Sequence, residues 1–192
     1  MNLVPVVLAT LLAFDAVPTQ SIVVSGMSFG MVVHQRSFKD CDDAAAQLSG
    51  KEIAVAHTFY HYGAVPDPSD PDLRLLVVAV DSEKSYVVIP RISWPYMSSA
   101  EIQAADRLYD ELVIHERGHL AIAVSSAAEV TALKHTVPAG VDPRAALTPF
   151  AALLDARQRE YDAVTAHGVR QSRAPANLRG DDIRLVCREG ER

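Results

Sequence analysis

"ELVIHERGHLAI", residues 111–122, sets two histidines and a glutamate into a run that otherwise reads as the buried face of a helix. Upstream, Ser98 and Glu101 have the spacing of a capping box, and Ile102, Ala105, Tyr109, Leu112, Glu116, Ala123 and Ala127 recur at helical intervals. The pattern predicts one long amphipathic helix that starts after Ser98 and reaches toward His135.

On that helix His115 and His119 are four residues apart, so their rings leave the same face one turn from each other. Glu116 stands beside them near the apolar stripe, where an unpaired carboxylate is expensive to bury. A cation resolves the expense, because it takes both imidazoles and its bound water gives the glutamate a proton to accept. This is the chemistry of H-E-x-x-H, in which two histidines hold zinc and the glutamate is the general base. A five-residue match can arise by chance, and an exposed histidine pair can simply be solvated. The position along the buried stripe weighs against that reading. Gly118 adds to the case: glycine inside a helix costs about 1 kcal/mol against alanine, which suggests a close approach by backbone or substrate.

A catalytic zinc normally takes three protein ligands and keeps one open position. The extension HExxHxxGxxH fails, since Ile122 and Ser125 stand where glycine and histidine are needed. Glu129, ten residues beyond His119, is about 15 Å away along the same helix and out of reach. "TVPAGVDP", residues 136–143, breaks this helix, and a second is expected with Thr148 as cap and Pro149 in its first turn, ending near the left-handed cap residue Gly168. Pairing His135 with Pro149 across an antiparallel helix hairpin brings His167 level with the space between His115 and His119. His167 is therefore the first choice for third ligand, with Glu160 and Asp162 open as alternatives.

The first half reads as strands around one short helix. "SIVV" and "SFGMVVH" are strand-like and punctuated by Gly26, and residues 37–50 hold a short helix. "EIAVAHTFYHY" and "LRLLVVAV" are strands separated by "GAVPDPSDPD", a Pro/Asp excursion too awkward for a tight hairpin. "LLVVAV-DSEK-SYVVIP" has the form of a hairpin ended by Pro90. His57 and His61, four apart on a strand, lie roughly 13 Å from each other and cannot share a metal. His34 and His135 have no partner motif. The expected fold is α+β, a small antiparallel sheet packed with two long helices in a single domain over residues 21–192.

At 192 residues, 49% hydrophobic and 22% charged, the chain can bury a real core, which excludes disorder. Its net charge of -6 excludes a phosphate-tracking surface, so no nucleic-acid partner is expected. The apolar run from Leu3 to Phe14 is too short to span a bilayer and suits a signal-peptide core over residues 1–20, although no basic residue precedes it. An edge strand or a buried segment is the alternative. Cys41 and Cys187 can pair in an exported protein or remain two buried thiols; neither belongs to a cysteine zinc cluster.

HERGH followed by Tyr161, Asp162, Thr165, His167 and Gly168, a Y-D-x-x-T-x-H-G pattern, resembles a bacterial family of predicted secreted zinc-dependent proteases that carry a domain of unknown function. The likeness runs from Tyr109 to Gln171, and the strand-rich half adds only "VVSG" and "VVIP". It implies a compact zincin-like module with His115, His119 and His167 as zinc ligands and Glu116 as base. Asp162 and Thr165 would orient a histidine or tie the helix end, and Tyr161 would donate to a developing oxyanion or pack in the core. The expected function is thus that of a periplasmic or secreted zinc metallopeptidase acting on a peptide or protein, with no stable membrane insertion. A strand edge in the first half can hold the substrate by added backbone pairing. The competing expectation is a non-catalytic zinc-binding envelope or interaction module.

Overall fold

The computed structural model describes residues 20–49, 51 and 53–187, so the segment read as a signal peptide lies outside them apart from Gln20. The fold is α+β: the described residues form seven strands in two sheets, and three helices of which two are long. Strands β1 (Gln20–Val24), β2 (Met27–Ser37), β3 (Val55–His57) and β6 (Tyr86–Ser93) form one sheet in the order β1-β2-β6-β3. Strands β4 (Tyr60–Asp67), β5 (Asp70–Val80) and β7 (Thr136–Pro138) form the other, in the order β4-β5-β7. The short helix α1 (Cys41–Leu48) follows β2, capped by Asp40 on the amide of Asp43.

The strands depart from the sequence expectation in four ways. Two sheets replace one, and the first is mixed, because β2 and β6 run parallel. The residues after β5 do turn, but β5 and β6 then enter different sheets and never pair. The Pro/Asp excursion is a tight hairpin, with Asp67 facing Asp70. Side chains build that turn: Asp67 accepts from the Ser69 amide at 2.8 Å and its hydroxyl at 2.6 Å, and Asp70 accepts from the Asp72 amide at 2.9 Å. Pro66 lies on β4, an edge strand, where a missing N–H is tolerated. The chain also breaks between His57 on β3 and His61 on β4, so the two belong to different sheets.

Helix α2 (Ser99–Ala132) begins with the expected capping box, Ser98 and Glu101 satisfying each other's backbone amides. Its buried stripe runs through Ala105, Leu108, Leu112, His115, Glu116, Leu120, Ala123, Ala127 and Val130, and it packs on β5 and β6. Phe29, Val87 and Ile89 fill the core beneath it. Where β5 outruns β7, Thr131 of α2 takes the strand's place: its hydroxyl accepts from the Val78 amide at 2.9 Å and donates to the Val78 carbonyl at 3.0 Å. That bond ties the far end of α2 to the second sheet.

Helix α3 (Pro143–Thr165) starts six residues before the expected start, with Asp142 rather than Thr148 as cap. Asp142 is the better start, since its side chain accepts from the Arg144 amide and Pro143 needs no N–H in the first turn. The connection from α2 also detours through β7, so the two helices are not a tight hairpin. They are clamped midway by Arg157, which meets Glu129 at 2.6 and 3.0 Å and the buried Ser126 hydroxyl at 2.9 Å. Cys41 and Cys187 form a disulfide that fastens the C-terminal tail to α1.

Candidate metal centre

The stripe on α2 and the last turns of α3 bring His115, His119 and Asp162 together, with one ligand atom from each within 4.8 Å of the others. His115 is 3% exposed and Glu116 2%, although both are polar, so each needs a compensating partner.

The protonation of the two rings follows from their partners. Gln171 donates through Nε2 to the Leu178 carbonyl at 2.6 Å and the Tyr161 hydroxyl at 2.7 Å, so its Oε1 faces His115 Nδ1 at 3.0 Å. Gln158 donates to the His119 carbonyl at 3.1 Å, and its Oε1 faces His119 Nδ1 at 2.6 Å. The backbone carbonyls decide which amide atom is nitrogen, and an amide oxygen can only accept. Both rings therefore carry a proton on Nδ1, and when neutral they present lone pairs at Nε2. Those Nε2 atoms are 3.3 Å apart, and Asp162 Oδ1 lies 3.4 Å from one and 3.0 Å from the other. Three acceptors this close repel unless a cation lies among them. A proton can relieve one contact; a divalent ion relieves all three.

The electrostatics agree. Burial would raise the Asp162 carboxyl, but contacts with His115 and His119 and the charges of His119 and His167 outweigh it and hold the group well below the usual carboxylate range. Burial likewise opposes charge on His119, yet Asp162, Glu116 and Gln158 raise its pKa above the ordinary imidazole value. The cluster attracts positive charge, and this His115-His119-Asp162 group can hold a metal ion.

The structure thus places Asp162, one of the alternatives, where His167 was expected. His167 lies beyond the end of α3, half exposed, with Nδ1 3.5 Å from Asp162 Oδ1, and it does not join the group. The reason is register: with no tight hairpin between α2 and α3, Asp162 rather than His167 faces the histidine pair. Ala166 and His167 are both left-handed, at φ 48° and 52°, a conformation that non-glycine residues usually avoid. Glu160 is exposed and beside the charge of Arg157. Thr165 ties the helix end by donating to the Tyr161 carbonyl at 2.7 Å.

Tyr161 sits behind the cluster. Its ring stacks on His115 at 5.1 Å and meets His119 edge-on at 4.9 Å, while its hydroxyl donates to the His115 carbonyl at 3.4 Å. Burial pushes its pKa up to about 12, with the charges of Glu116 and Asp162 adding to the rise and the Gln171 bond opposing it. Gly118 is explained by the same ring: a Cβ there would overlap the Tyr161 hydroxyl. Close approach was expected at this glycine, and the approaching group is a tyrosine.

A cleft of about 140 Å³ opens on the cluster. Glu116, His119, Gln158 and Asp162 form one wall, and Val55, Ala56 and Thr58, on and just after β3, form the other. Gln158 and Gln171 went unnoticed in the sequence. Gln158 had a visible signal, being four residues before Asp162 on one helical face; Gln171, in a 3-10 turn, had none.

Comparisons of the chain with protein-family models, with curated proteins and with solved structures return no match.

Proposed function

We propose that the chain is a zinc-dependent metallopeptidase whose ion is held by His115, His119 and Asp162. The observation that carries this reading is the placement of Glu116, a buried carboxylate, in the same cleft wall as two of those groups and across from β3. Zinc bound there supplies a Lewis acid that brings a water's pKa toward neutrality. Glu116 takes the water's proton and later passes it to the leaving amine. Gln158 and Gln171 hold the two imidazoles in the tautomer that frees Nε2, and Tyr161 braces both rings from behind, a position that suits it less to an oxyanion. Among the described residues strand β3 pairs with β6 on one side only, which leaves its other edge to an extended peptide backbone. The resemblance carried by HERGH and the Y-D-x-x-T-x-H-G pattern supports the same reading.

The Cys41–Cys187 disulfide supports an oxidising compartment, periplasmic or extracellular. Among the described residues no helix is long and apolar enough to cross a membrane.

The test is Glu116→Gln. The amide fills the same space without accepting a proton, so zinc content should stay at the wild-type level while peptide turnover falls by about 10²- to 10⁴-fold. Cleavage at the wild-type rate would remove Glu116 as base. The second reading, a non-catalytic zinc module, is favoured by the proximity of His167 to Asp162. It requires four protein ligands around the ion, which X-ray absorption would detect, and no turnover in wild type.

A further inference from the structure

From the cleft outward, α3 carries Asp162, Gln158 and Asp155 at spacings of four and three, so the three share one helical stripe. This helix packs on β4. Opposite the stripe, Tyr60 has its hydroxyl beside the side chains of Thr58 and Gln158, and Tyr62, two residues along the same strand face, is within the field of Asp155. The two rings stack at 6.2 Å between centroids, 30° from parallel. Tyr62 remains 37% exposed, and Asp155 is exposed as well. Among the described residues no ion pair engages Asp155, whereas Arg157, two residues on, is taken by Glu129.

Resting on the peptidase reading, we infer that Tyr60, Tyr62 and Asp155 form a subsite for a lysine or arginine side chain of the bound peptide. Two aromatic faces lying in the field of a carboxylate attract a cation by ring quadrupole and by charge, and they offer no comparable electrostatic attraction to an acidic or aliphatic side chain. The chain's net charge of -6 adds a long-range field of the same sign. Asp155 lies seven residues, about 10 Å, along the helix from Asp162. At the pitch of an extended strand this sets the basic residue about three positions from the bond cleaved, or nearer if its long side chain reaches back.

The probe is a set of N-acetylated, C-amidated octapeptides bearing one lysine, alanine or glutamate at each position in turn. They are titrated by calorimetry into the Glu116→Gln protein with zinc added, in which turnover is slowed enough for binding to be read. The best lysine peptide should bind at least about tenfold more tightly than its alanine counterpart. In the same background carrying Asp155→Asn, that ratio should fall below about threefold, with arginine following lysine. Equal binding of lysine and alanine peptides, or a preference that survives Asp155→Asn together with Tyr62→Leu, overturns the subsite. Turnover by wild type is scored separately. Hydrolysis without a basic preference leaves the peptidase reading and removes the subsite, whereas lysine-selective binding without hydrolysis keeps the subsite and removes the peptidase.

Discussion

Gln171 and His115 meet through an amide oxygen whose direction is settled elsewhere: the Gln171 nitrogen is committed to the Leu178 carbonyl at 2.6 Å, so its oxygen accepts from His115 Nδ1 at 3.0 Å. A residue of the C-terminal segment thus decides which nitrogen of a helix α2 histidine is left for a metal. Gln171→Leu should lower zinc affinity by about 10- to 100-fold, the usual loss when a partner behind a ligand is removed. Gln171→Glu can still accept from Nδ1 but sets a carboxylate oxygen against the Leu178 carbonyl, so it should restore only part of it. A chelator competition titration reads both, and unchanged affinity in Gln171→Leu would detach the residue from the site.

Gly118→Ala should destabilise the protein by about 1–3 kcal/mol, because overlap with Tyr161 outweighs the roughly 1 kcal/mol that alanine gains in a helix. In a Tyr161→Ala background the same change should be neutral or stabilising. Denaturant unfolding of the four proteins measures the coupling; additive effects would mean that the ring is not what excludes a side chain at 118.

Helix α2 is legible in the sequence because its signals are local: a capping box, a stripe at helical spacing, and a polar cluster placed on that stripe. The hairpin at Asp67–Asp70 was missed because prolines 66, 68 and 71 suggest a loop, while the turn is built by aspartate side chains that accept from the backbone just beyond them. Strand pairing was beyond reach for a different reason. A strand's pattern reports which residues are buried and is silent about partners, so nothing local showed that β6 lies parallel to β2. The histidine pair followed from helical geometry alone, but the third group depended on how α3 lies against α2, and β7 intervenes between the two helices. A register difference of about one turn exchanges His167 for Asp162.

The disulfide spans a sequence separation of 146 residues, for which the chain-entropy model gives about 5 kcal/mol. Cys41→Ser with Cys187→Ser should lose about 2–5 kcal/mol of stability in urea, since native-state compensation takes part of the model value. Loss of less than about 1 kcal/mol would mean that the tail is held by Ile183, whose amide bonds the Gly168 carbonyl, without help from the bridge.

Glu111, packed against Gly180 under the tail, has its pKa raised by burial and by the charges of Asp181, Asp110 and Asp182. A carboxyl whose folded pKa exceeds its unfolded value ionises first in the unfolded chain. Stability is therefore lost as the pH rises from the unfolded value through the folded one. Glu111→Gln should raise Tm at pH 7, and the gain should vanish below about pH 4, where both states are protonated. A gain equal at both pH values would assign the effect to packing.

On the proposed reading His115, His119 and Asp162 hold the ion and His167 does not. Zinc stoichiometry and affinity, measured by chelator competition on wild type, Asp162→Ala and His167→Ala, separate the two ligand sets. One zinc per chain is predicted for wild type, with affinity lower by at least about 100-fold in Asp162→Ala, a lost ligand costing no less than a lost partner behind one, and within about threefold of wild type in His167→Ala. Wild-type affinity in Asp162→Ala, accompanied by loss of zinc in His167→Ala, would contradict it.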